Sequence, residues 1–156
     1  MRYFRAYLAV FLWTLVIFMG STDLGSSHNT SRLIGPILRW LKPDISDATI
    51  KVVQAVVRKS AHMAVYGVLA ALAWRAQRIV RNNASEWRWR EFRLITIFCL
   101  CYAISDELHQ SLVASRQGSA FDVMFDTFGA VAALLAIRFS VQRNLDNPAP
   151  ASKLPA

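Results

Sequence analysis

Three short polar stretches interrupt otherwise apolar sequence, and each repeats at helical spacing. Lys59, His62 and Tyr66 stand at i, i+3 and i+7, within an arc of about 60° on a helix. Asp106, Glu107 and Gln110 share a face of about 100°, with His109 at its edge. Asp122, Asp126 and Gly129 make a third stripe, whose glycine lets a second helix approach closely. Arg116 lies in SLVASRQGSA, the short connection between the last two stripes.

Histidine beside carboxylates is the material of proton transfer. In an enzyme, His62 would be the general acid or base, and Asp106 or Glu107 would orient it or act as a second acid or base. Lys59 and Arg116 would then clamp a phosphate or carboxylate. The same constellation can bind without reacting, with Lys59, Tyr66, Gln110, Arg116, Asp122 and Asp126 as the ligand-binding set, or it can lock helices in register. Binding or locking weighs slightly more than catalysis, and the lack of a G-x-S-x-G elbow or a convincing cysteine nucleophile counts against acyl transfer. A metal version would recruit His62, Asp106, Glu107, His109 and Asp122 as mixed nitrogen and oxygen ligands. Only two histidines are at hand there and no tight spacing repeats, so neither a metal nor a cofactor is expected.

The elements that carry these residues follow from hydropathy. Of 156 residues, 54% are hydrophobic and 18% charged, and the mean hydropathy is +0.30. The apolar residues fall into runs of membrane-crossing length, which argues against a soluble one-domain enzyme. The runs are Tyr3 to Gly20, Ala61 to Val80, Phe92 to about Leu112, and Phe121 to Val141. The first has a basic flank in Arg2 and Arg5, but it is too long for a signal-peptide core and lacks a clean cleavage site, so it reads as a retained span. Ser46-Asp47 offers an N-cap for a long helix leading into the second run. The fold expected is all-α: a polytopic membrane protein with four transmembrane helices in a compact bundle. Its single domain spans residues 1–143, and the proline-bearing stretch 144–156 is read as a disordered cytoplasmic tail.

Basic residues orient the bundle. The net charge of +8 and pI near 10.2 would suggest nucleic acid in a soluble protein, but no nucleic-acid motif is present and the basic residues flank apolar runs. With a cytoplasmic N-terminus, 11 of the 18 Lys and Arg lie on inner segments and 7 on outer ones, so both termini are expected in the cytoplasm. Trp87 and Trp89, alternating with Arg88 and Arg90, suit an interfacial anchor. SRLIGPILRWLKP, with Leu33, Ile34, Ile37, Leu38 and Leu41 on one face, is an amphipathic segment for the outer surface or for capping the bundle. Cys99 and Cys101 point about 200° apart on a helix and are read as packing or lipid-facing residues. This topology sets all three polar stripes, with Ser21 and Asp23, at one depth near the outer leaflet, where they can converge.

The polar stretches resemble the VanZ-like family of small membrane proteins. The family pattern is Lys-x-x-His-x-x-x-Tyr, then Asp-Glu-x-x-Gln, an Arg in a short loop, and Asp-x-x-x-Asn-x-x-Gly opening the last span. Here it reads KSAHMAVY, DELHQ, Arg116 with Ser119, and DVMFDTFG, over roughly residues 5 to 140. Asp126 departs from the usual Asn and adds a carboxylate; the segment between the first two runs is longer than is typical. The resemblance implies a small multi-pass protein of the cell membrane in a family associated with glycopeptide-antibiotic resistance, and it supplies no substrate. The resulting expectation is an outer-face site that binds an anionic lipid headgroup or lipid-linked cell-envelope precursor, with no nucleic-acid partner. The alternative is an enzyme working on a lipid-linked envelope substrate by His and carboxylate acid-base chemistry.

Overall fold

A computed structural model describes residues 1–22, 27–81, 87–113 and 118–146. Five helices account for almost all of them, and no strand occurs among the described residues: α1 (Arg2–Ser21), α2 (Ser27–Leu41), α3 (Asp47–Arg81), α4 (Trp89–Leu112) and α5 (Ala120–Asp146). All four expected apolar runs are helical. α1 and α5 are long and apolar enough to cross a membrane. α3 and α4 do not pass the same test; their polar positions include Glu91, Asp106 and Glu107, which are buried inside the bundle. α5 continues to Asp146, past the expected domain edge at residue 143, and residues 147–156 lie outside the described ones.

α3 is the central element and packs on α1, α2, α4 and α5, most extensively on α5. Its start is set by Ser46, whose hydroxyl accepts from the Thr49 amide at 3.2 Å while its carbonyl accepts from Ile50 at 3.1 Å. That satisfies amides a helix start leaves without partners, as the expected N-cap requires. The close α3–α5 approach depends on glycine. A Cβ on Gly129 would stand 2.2 Å from the Met63 carbonyl oxygen, whereas one on Gly67 would meet Ala133 and Gly129 at 3.4 Å.

The core combines small and medium side chains, among them Leu69, Ala70, Ala73, Cys99, Ala103, Ala130 and Leu134, with the rings of Tyr66 and Trp74. Cys99 is buried and Cys101 exposed, as their spacing predicts. Two hydrogen bonds pin α1: Trp13 Nε1 donates to the Val65 carbonyl at 2.9 Å, and the Tyr102 hydroxyl to the Thr14 carbonyl at 2.6 Å. At the far end from the polar stripes, Arg81 pairs with Glu91, joining the end of α3 to the start of α4. Trp87 packs against Trp74 at 4.8 Å between ring centroids, so it closes that end of the core, while the exposed Trp89 receives Arg138 over its ring at 4.5 Å. α2 lies on α3, with Gly35 buried and Trp40 exposed. Arg39 reaches Asp47 at 2.6 Å across the α2–α3 turn.

Candidate functional site

The three stripes do converge, because each occupies the face its helix turns toward the bundle interior at one common end. Lys59 Nζ on α3 meets Asp122 Oδ1 on α5 at 2.5 Å, and its ammonium also lies 4.4 Å from the Phe125 ring centroid. One turn along, His62 Nδ1 stands 3.2 Å from Asp126 Oδ1. That is ion-pair distance, and among the described residues neither Asp126 oxygen has a well-aligned hydrogen-bond partner. Asp126 is fully buried, and Tyr66, one turn beyond His62, is 1% exposed with no hydrogen-bond partner for its hydroxyl among the described residues.

α4 supplies the other wall. Gln110 Nε2 donates to Asp106 Oδ2 at 3.1 Å and to Ser21 Oγ at 3.4 Å, so the α4 amide ties an α4 carboxylate to the end of α1. Glu107 turns toward α5 and accepts from the Ser119 amide at 2.7 Å through Oε2, while its buried Oε1 has no hydrogen-bond partner among the described residues. The close packing of the following loop explains this bond: a Cβ on Gly118 would stand 2.4 Å from the Glu107 carbonyl oxygen. His109 parts from the group and packs its ring on Phe18 of α1, 4.6 Å between centroids. Arg116 and Asp23 lie outside the described residues.

Two distinct features result. The first is a cavity of about 290 Å³ between α1, α3 and α4. Val16, Ile17, Val57, Ala61 and Val65 form apolar walls; Ser21, His62, Tyr66 and Asp106 are its polar lining, and Arg58 is its cation. The second is a donor set. One ligand-capable atom from each of His62, Glu107 and Asp126 lies within 4.8 Å of the other two. This differs from the set read in the sequence, because His109 faces α1, Asp106 is held by Gln110, and Asp122 is held by Lys59.

Arg58 and Tyr102 carry no role in the sequence reading. Arg58 resembles any basic residue before an apolar run, and its place on the cavity depends on where α1 packs. Tyr102 had a legible signal, since it precedes Asp106 and Gln110 at i−4 and i−8 on the same α4 face.

The family model for VanZ/LLP1 matches residues 4–141 of the chain. No curated protein and no solved structure matches it.

Proposed function

The chain belongs to the VanZ/LLP1 family, and from that premise we propose that it is a multi-pass membrane protein whose cavity between α1, α3 and α4 binds an amphiphile with an anionic headgroup. α1, α3, α4 and α5 are its four spans, with both termini cytoplasmic. Only 22% of the most apolar stretch of α1, and 22% of that of α5, is buried within the bundle. Phe11, Leu15, Phe18, Phe121, Met124 and Phe128 face outward, which suits hydrocarbon and would be costly in water. α3 fits the same reading, since between Lys59 and Arg75 it has no Asp, Glu, Lys or Arg.

The observation that carries the proposal is the composition of the cavity. Its aliphatic walls match an acyl or prenyl chain, and Ser21, His62, Tyr66 and Asp106 offer hydrogen bonds. Arg58 supplies a planar, permanently charged donor for phosphate or carboxylate. Lys59 is engaged by Asp122, so Arg58 takes the clamp role that the sequence reading gave to Lys59. The ligand class is a membrane lipid or lipid-linked envelope precursor.

The test is mass spectrometry of lipids retained by the detergent-solubilised protein. Ala61→Phe, which fills the cavity, and Arg58→Gln, which removes its cation, should each lower the retained anionic lipid several-fold while the fold persists. Equal retention by wild type and both variants would refute the reading.

A further inference from the structure

We propose that His62, Glu107 and Asp126 hold one divalent first-row transition-metal ion, of the Zn²⁺ or Mn²⁺ class. Asp126 is fully buried and, among the described residues, neither carboxylate oxygen has a well-aligned hydrogen bond; Glu107 is 6% exposed with Oε1 in the same condition. Among the described residues the closest partner of the Asp126 carboxylate is the His62 imidazole at 3.2 Å, and a buried carboxylate that is not fully compensated is costly. Among the described residues the nearby ammonium is already used, since Lys59 lies 2.5 Å from Asp122. Two adjacent carboxylates and an imidazole therefore converge with lone pairs to spare.

The geometry suits a metal better than an ion pair. His62 Nδ1 and Asp126 Oδ1 are 3.2 Å apart without hydrogen-bond alignment. Two donors bound to one ion at about 2.1 Å lie roughly 3.0–3.4 Å apart across a right or tetrahedral angle. All three donors already lie within 4.8 Å of one another, so closure needs side-chain adjustments and no helix movement. One imidazole with two carboxylates is a mixed set suited to Zn²⁺ or Mn²⁺, and is harder to reconcile with the all-oxygen shells of Ca²⁺ and Mg²⁺.

The ligands come from three helices, His62 from α3, Glu107 from α4 and Asp126 from α5, so the ion would cross-link the bundle as well as neutralise it. Ser119 would orient Glu107 through its amide bond to Oε2, leaving Oε1 for the ion. His62 also lines the cavity. If the proposed headgroup binding holds, on which this last step rests, the ion would place positive charge beside the headgroup.

The experiment measures metal by inductively coupled plasma mass spectrometry on tag-free, detergent-solubilised full-length protein, incubated with Zn²⁺ or Mn²⁺ and desalted. Wild type should carry close to one ion per chain. Asp126→Asn and Glu107→Gln should each lower that at least tenfold. Asp106→Asn, at a carboxylate on the cavity outside the donor set, should keep the ion. Co²⁺ loading provides a readout independent of variant folding, since its visible absorption should report an imidazole and carboxylate ligand field in the wild type. Wild-type protein with less than about a tenth of an ion per chain, and a melting temperature indifferent to both metal and EDTA, would overturn the proposal in favour of protonated carboxyls locking the helices. Metal loss in Asp106→Asn equal to that in Asp126→Asn would overturn the assignment of the ligands. Absence of metal with lipid still retained defeats this inference alone; metal without retained lipid defeats only the cavity reading.

Discussion

Gly129→Ala isolates the α3–α5 contact on which the site depends. The added methyl would stand 2.2 Å from the Met63 carbonyl oxygen and 2.7 Å from its carbonyl carbon and Cα, where an unstrained contact needs about 3.4 Å. Every one of those atoms is backbone, so no side chain can swing aside and the helices must part by roughly 1 Å to restore ordinary van der Waals contact. Overpacking of this kind costs about 1–3 kcal/mol, offset by up to about 1 kcal/mol from alanine's better helix propensity. The net expectation is a loss of about 1–2 kcal/mol, or a melting temperature lower by roughly 2–8 °C at this chain length. Asp126 lies one turn before Gly129, so the same shift should stretch its 3.2 Å approach to His62. The assay is a tryptophan-fluorescence melt in detergent, with Gly67→Ala as the comparison. The Gly67 methyl would meet Ala133 and Gly129 at an ordinary 3.4 Å, so that variant should stay within about 0.5 kcal/mol of wild type. A Gly129→Ala protein that melts at or above wild type, or a Gly67→Ala protein that loses as much, would refute the close-approach argument.

Ion pairs at different depths should respond differently. Glu91→Gln leaves the largely buried Arg81 facing a neutral amide and should destabilise by about 1–3 kcal/mol, whereas Asp47→Asn at the exposed Arg39 pair should cost under about 1 kcal/mol; equal melting shifts would contradict the burial argument. For the proposed topology, Ser119→Cys should react with an impermeant maleimide added outside intact cells and Ser85→Cys only after permeabilisation, the reverse pattern inverting the protein in the membrane. Arg116→Lys keeps the charge but removes the planar fork, so retained anionic lipid should fall; unchanged retention would remove Arg116 from the binding set.

Much of the architecture was legible because a helix imposes its period locally. The apolar runs located α1, α3, α4 and α5, and Ser46 announced the start of α3, since capping is decided within four residues. The polar stripes were visible for the same reason: Lys59, His62 and Tyr66 share a face wherever the helix is placed, and so do Asp122, Asp126 and Gly129. Periodicity says which residues share a face, but not which residue on another helix each one meets. Only the packing paired Lys59 with Asp122 and His62 with Asp126, turned Glu107 toward Ser119, and sent His109 to Phe18. The metal version that the sequence argued against drew on His109, Asp106 and Asp122, each of which has other company in the structure, and not on Asp126, which stands beside His62. Arg58 came to the cavity by the same route. Whether a basic residue before an apolar run is a membrane flank or part of a binding site depends on the neighbouring helix, and contacts between helices distant in sequence leave no periodic trace within either one.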